Sequence, residues 1–255
     1  MADIHQLENK MRMIKLSGMV ETLDMRLSQA QKEGLAFTQF LEILLEDEVQ
    51  HRANRKLASR IIRAHFEEDK SLEGFDFNFN PKLPTQYIRE LATCQFIERK
   101  ESIILCGPVG VGKTHLAQAL GHQACRLGYS ALFTKANRLL SDLGGGRADG
   151  TWEKRLHRYL KPNLLIIDDF AIKELTKTQG EDLYELIDQR YRSGSMIVTA
   201  NRSPKDWYPL FPNPVIAESA LDRLLSSSHI ITLTGKSYRS LLRPDKALEK
   251  EVITV

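Results

Sequence analysis

The stretch at residues 104–120, ILCGPVGVGKTHLAQAL, decides the fold. Its centre, residues 107–114, reads G-x-x-x-x-G-K-T, with the apolar run 103–106 before it and a helical apolar pattern after it. A buried strand, a glycine-rich loop and a helix N-terminus in that order surround phosphate groups with backbone N–H donors. The expected nucleotide-binding residues are therefore Gly107, Pro108, Val109, Gly110, Val111, Gly112, Lys113, Thr114 and His115. In such a loop the lysine, Lys113, reaches the β- and γ-phosphates, and the Thr114 hydroxyl ligates magnesium, so ATP and Mg2+ are the expected cofactors.

Working outward, the chain from about residue 84 alternates helical and short apolar segments. Strands are expected at 102–106, 129–134, 163–168, 195–200 and 229–233, and helices at 86–98, 112–127, 151–160, 178–192 and 214–226. Such alternation predicts an α/β fold: a five-stranded parallel sheet with helices on both faces. Residues 4–65 read as helices throughout, because Leu16, Met19, Leu23 and Leu27, then Phe40, Leu41, Leu44 and Leu45, recur at intervals of three to four. The expected organisation is a helical domain at 1–66, a linker at 67–83, a nucleotide-binding α/β domain at 84–240 and a tail at 241–255. The linker interleaves Phe75, Phe77 and Phe79 with polar residues; they either cover the edge of the next core or contact a base or a neighbouring subunit. Gly144, Gly145 and Gly146 read as a flexible loop between two helical pieces.

Two further strands end in polar residues. NLLIIDDF, at 163–170, ends its apolar run at Asp168 and Asp169, and strand ends of a parallel sheet open into the ligand crevice. Asp168 is the natural magnesium partner, directly or through water, and Asp169 is placed to orient or activate the attacking water, unless the pair only caps a turn. Aspartate is one methylene shorter than a catalytic glutamate, so slow hydrolysis is expected. MIVTANRSP, at 196–204, ends at Asn201, whose amide suits a γ-phosphate or a water; Thr199 competes for that part, and a turn-forming asparagine is the ordinary alternative. Arg223 in ESALDRLL and Arg239 in GKSYRSL are either solvated or stabilise charge on a γ-phosphate, in the same subunit or the neighbouring one.

With 42% apolar and 27% charged residues among 255, the composition is that of a globular chain with enough material for a core. No apolar run approaches a membrane span, so a cytoplasmic protein without a membrane partner is expected. Cys94, Cys106 and Cys125 form no C-x-x-C pair and no HExxH spacing occurs, which points to reduced cysteines and no zinc. The net charge of +3 says little by itself, but HRANRKLASRIIRAH at 51–65 carries five basic residues and no acid. Arg52, Lys56, Arg60 and Arg63 form one helical stripe with Arg55 beside it; Lys154, Arg158 and Lys161 form a second with Arg155 beside it. Each alone reads equally well as a solvated face, but two such stripes in one ATPase favour sequence-blind contact with the backbone of double-stranded DNA.

GPVGVGKTHLAQALG, LLIIDDF, TANRSP, LDRLL and GKSYRSL, in that order and spacing, resemble the AAA+ ATPases of the initiator group. Within that group the chain is similar to the IstB proteins, ATP-binding helpers of insertion-sequence transposons, and next to DnaC-type helicase loaders. The resemblance extends upstream through LSGMVETLD, RANRKLASRIIRA and LEGFDFNFNPKL, which favours the first over the second. It implies that Lys113 and Thr114 belong to Walker A, Asp168 and Asp169 to Walker B, Asn201 to sensor 1, Arg223 to the arginine finger and Arg239 to sensor 2. It also implies a homo-oligomer that binds and bends duplex DNA with little sequence preference and recruits the transposase of the same element. A helicase loader, acting on a protein ring, is the alternative; a monomeric small-molecule kinase is a second, for which no acceptor site is readable. Two departures stand out: about 20 residues follow the last strand, so no full C-terminal lid is expected, and Ala171 stands where the family usually has glycine after DDF, a change expected only to stiffen the turn.

Overall fold

A computed structural model describes residues 2–80 and 83–242; most of the expected tail, from 243 on, lies outside the described residues, as do Pro81 and Lys82 of the expected linker. The chain divides between Ser59 and Arg60 into two compact units.

The sheet follows from the apolar runs. β1 (Ser102–Cys106), β2 (Ala131–Lys135), β3 (Leu164–Phe170), β4 (Ser195–Ala200) and β5 (Ser228–Thr232) pair in parallel in the order β2-β3-β4-β1-β5. The central strands are buried on both faces, so they show continuous apolar runs rather than alternation. One face, carrying Ile104, Leu165, Ile167, Met196 and Val198, packs on α7 (Ala136–Asp149), α8 (Trp152–Leu160), α9 (Lys177–Arg190) and α10 (Pro214–Ser226). The other meets α6 (Lys113–Arg126), which begins at the P-loop lysine. Burying each such side chain contributes about 1.5–3 kcal/mol, which anchors the strand ends where the polar residues emerge.

Two helical details depart from the sequence reading. The helix expected at 86–98 is two, α4 (Thr85–Leu91) and α5 (Gln95–Glu98), broken where buried Cys94 takes a left-handed backbone with φ 60°. Gly144, Gly145 and Gly146 are not a loop but part of α7. Tertiary contact overrides their weak helix propensity: a Cβ on Gly146 would lie 2.8 Å from the Trp152 Cα, and one on Gly145 2.8 Å from the Arg155 guanidinium, so glycine lets α8 approach α7 closely. The expected helix 214–226 is found unchanged, with Asn213 capping its first N–H groups and Pro214 at its start.

The first unit is built from α1 (Ala2–Met13), α2 (Ser17–Glu33) and the greater part of α3 (Phe37–Ala64). Met11, Met19, Leu23 and Leu44 form its core, with Leu16, Val20, Leu27 and Phe40 packed around them. Leu41 and Leu45, part of the spacing that marks the helix, are about half exposed. The buried Glu48 carboxylate accepts from the Gly18 and Met19 amides at 2.7 and 3.1 Å and from Arg52 Nε at 2.6 Å. Burial pushes this carboxyl up, but Arg52 and the two amides outweigh it and hold it below the usual carboxylate range.

Candidate nucleotide site

β1 delivers the chain into the loop 107–112, and α6 starts at Lys113 with its first N–H groups turned toward the loop. Gly107 and Gly110 have φ of 143° and 82°, and a Cβ on either would overlap the segment after β5, at Leu233 O and Ser237 Oγ respectively. Tyr238 N donates to Gly110 O at 2.9 Å, so that segment is fastened to the loop. Lys113, 6% exposed, folds back to donate to Gly107 O and Pro108 O at 2.8 and 2.7 Å. Burial pulls its pKa below that of an ordinary lysine, against the opposing pull of Asp169 and Asp168.

The acidic pair sits on a β-bulge. Ile167 pairs with Val198 and Phe170 with Ala200, so Asp168 and Asp169 together oppose Thr199. The Thr199 hydroxyl donates to Asp168 Oδ1 at 2.5 Å and accepts from Asp169 N at 3.0 Å, while Thr114 Oγ1 donates to the same Asp168 oxygen at 2.9 Å. Asp168 is 2% exposed; burial raises its pKa, the two hydroxyls pull it down and the charge of Asp169 adds to the rise. Phe170, edge-on to buried Trp207 at 4.8 Å, holds the strand end in place. Thr199, weighed from the sequence only as a rival to Asn201, is thus the hydroxyl that joins the Asp168–Asp169 pair to β4.

The turn after the pair is strained rather than merely stiff. Asp169 and Ala171 have φ of 56° and 61°; aspartate tolerates this region, alanine does not. Ala171→Gly is therefore expected to raise stability by about 1 kcal/mol, read as a higher midpoint by calorimetry. A lower midpoint would mean that the lost methyl packing outweighs the relieved backbone.

The remaining candidates fall in different places. Asn201 is exposed just beyond the C-terminal end of β4, the strand between β1 and β3. Arg239 lies near enough to Lys113 and Glu68 for its charge to act on both. His115 faces the linker, with its Nε2 3.2 Å from Ser71 O and its ring edge-on to Phe75 at 5.1 Å. Phe79 is edge-on to Tyr238 at 4.9 Å, so the linker aromatics cover the loop and the segment after β5. Arg223 is at the α9–α10 contact, its Nε 2.8 Å from Asp188 Oδ1. Of the basic residues, Arg55, Lys56, Arg63 and Lys154 are exposed and Arg60 is half-buried. Arg52 is engaged by Glu48 and Lys15 O, Arg155 by Asp142 and Asp149, and Arg158 by Asp142 and the Tyr159 hydroxyl. The stripes are visible in sequence, but the carboxylates that neutralise parts of them are not.

The chain is similar to known proteins over most of its length. A family model described as IstB-like ATP-binding protein matches residues 9–245. An ATP-binding protein of an insertion sequence in Mycobacterium tuberculosis is 50% identical over 241 residues, covering 94% of this chain and 96% of that one. The ATP-binding protein of insertion sequence IS21 from Pseudomonas aeruginosa is 37% identical, over 92% of this chain and 89% of that one. Among solved structures, the replication initiator DnaA bound to AMPPCP and single-stranded DNA has a TM-score of 0.58 at 20% identity, covering 74% of this chain and 59% of that one. The DnaC helicase loader has a TM-score of 0.52 at 23% identity, covering 58% of this chain and 86% of that one. These structural likenesses show a shared AAA+ fold, whereas the sequence match takes in the N-terminal helices as well. The chain belongs to the family of IstB-like ATP-binding proteins.

Proposed function

We propose that this AAA+ protein is an ATP-dependent transposition helper that oligomerises on double-stranded DNA, remodels it and recruits the transposase of its own element. The observation that carries the ATPase reading is the Asp168 carboxylate held between Thr114 and Thr199 beside the phosphate loop. That donor set fits a magnesium–nucleoside triphosphate: glycines where a Cβ would overlap neighbouring backbone or side chain, a buried lysine that donates to loop carbonyls, and a hydroxyl and a carboxylate side by side.

Lys113 would exchange its carbonyl acceptors for β- and γ-phosphate oxygens, and Thr114 and Asp168 would hold Mg2+. Bound magnesium–ATP supplies the reactive phosphoryl group and neutralises its developing charge. Asp169 would orient the water as a hydrogen-bond acceptor, from a shorter side chain than glutamate, which supports slow turnover. Asn201 would hold the γ-phosphate or that water without adding charge, Arg239 would act on the phosphates of its own subunit, and Arg223 on those of a neighbour. Hydrolysis then depends on assembly.

The DNA reading rests on the second half of α3, where Arg55, Lys56 and Arg63 are exposed and none is in an ion pair among the described residues. The names of the relatives, all insertion-sequence proteins, support the transposon context and a transposase partner. Glutamate at all three positions is expected to abolish duplex binding and leave ATP affinity intact. Neutral glutamines should reduce the steepness of the salt dependence by about 3 in log K against log salt, since each phosphate contact contributes about 0.9. Arg52 is left out because a glutamate there would face the buried Glu48. Anisotropy with random-sequence duplex over a salt series checks both; unchanged binding removes this helix from the interface, and binding to a helicase ring instead of duplex would favour a loader.

A further inference from the structure

Among the described residues the Arg223 guanidinium is only partly engaged. Its Nε lies 2.8 Å from Asp188 Oδ1 on α9 in an ion pair, its Nη1 donates to Ser219 O at 2.8 Å, and its Cζ lies 5.6 Å from the centre of the Tyr184 ring. A guanidinium has five N–H donors; the two on Nη2 take part in neither bond. Arg223 and Asp188 both line an open groove of about 870 Å3, together with Tyr208, Val215, Glu218 and Asp222. Three carboxylates border this groove, yet among the described residues Asp188 alone is ion-paired with Arg223.

An unsupported arginine at a surface samples many rotamers and must be ordered each time it meets an anion. Here a carboxylate on the neighbouring helix is ion-paired with the guanidinium and an aromatic ring lies near it, while among the described residues its outward end, formed by Nη2 and the second N–H of Nη1, has no partner and is left for an incoming oxyanion. We propose that Asp188 is the positioning residue for Arg223, fixing its guanidinium at the groove so that its free edge meets the γ-phosphate bound by an adjoining subunit. The proposal rests on the reading of Arg223 as a residue supplied in trans. Asp188 itself touches no nucleotide.

Mixing experiments separate the two ideas. Lys113→Ala lacks a nucleotide site but retains Arg223, and Arg223→Ala retains a nucleotide site, so hydrolysis in their mixture reports on Arg223 donated across the interface. Replacing the first by Lys113→Ala/Asp188→Ala leaves donation of Arg223 as the only affected contribution. Its mixture should show kcat lower by about 10²-fold, the cost of roughly 1 Å of misplacement, with KM for ATP unchanged. Lys113→Ala/Asp188→Glu, which keeps the carboxylate, should restore most of the rescue. Thermal midpoint and duplex binding are read alongside, and Lys113→Ala/Asp188→Asn, which removes the charge at nearly the same size and should rescue as poorly, stands in if the alanine variant does not fold. Rescue by Lys113→Ala/Asp188→Ala equal to or above that by Lys113→Ala, or a glutamate variant that folds and rescues no better than alanine, overturns the positioning role. If even Lys113→Ala fails to rescue Arg223→Ala, the reading in trans falls, and the role of Asp188 falls with it.

Discussion

Arg223→Ala is expected to bind ATP as tightly as the parent protein and to hydrolyse it about 10³–10⁵-fold more slowly, the range for a guanidinium supplied to a phosphoryl transition state. Its side chain is engaged at the α9–α10 contact, whereas the Lys113, Thr114 and Asp168 groups converge at the ends of β1 and β3. Removing it should therefore spare the nucleotide site of its own subunit and damage the one it adjoins. Fluorescent-nucleotide titration reads the first effect and single-turnover hydrolysis the second. Mixing with Lys113→Ala should restore activity that rises with protein concentration and with added duplex DNA, since both promote assembly. Loss of ATP binding in Arg223→Ala itself would make it a residue of its own site or of the fold.

Asp169→Asn is expected to retain ATP and lose hydrolysis by about 10²–10⁴-fold, the range for a positioned acid or base. The substitution tests the charge with little other disturbance. Asparagine tolerates the left-handed backbone at this position as aspartate does, and the bond to the Thr199 hydroxyl comes from the residue's amide N, not its side chain. ATP held unhydrolysed should lengthen the life of the complex on duplex DNA, measured as its dissociation rate after dilution. Turnover at the parent rate would assign the water to another group.

Much of this was readable in the chain. The runs 103–106, 164–167 and 196–198 are apolar without interruption, and doubly buried strands need that pattern, so the central strands and the loop they support follow directly. The bulge was not readable, because it depends on the register between β3 and β4 and not on either strand alone. For the same reason Thr199 looked like an ordinary strand residue until Asp168 and Asp169 were found opposite it. Gly144–Gly146 were misread because local propensity favours a loop and only the approach of α8 shows why glycine serves a helix there. Spacing identified the Lys154–Arg158 stripe, but Asp142 and Asp149, a dozen or so residues earlier or fewer, answer its arginines only once α7 and α8 are packed.

In the proposed function ATP makes this protein assemble on duplex DNA. Particle masses from mass photometry, with random-sequence duplexes of increasing length and with Mg2+ and ATP, ADP or no nucleotide, read that assembly. Multi-subunit particles are expected with ATP and duplex together, growing with duplex length whatever its sequence, persisting in Asp169→Asn and absent from Lys113→Ala. A protein that stays monomeric under every condition while turning ATP over would contradict that function.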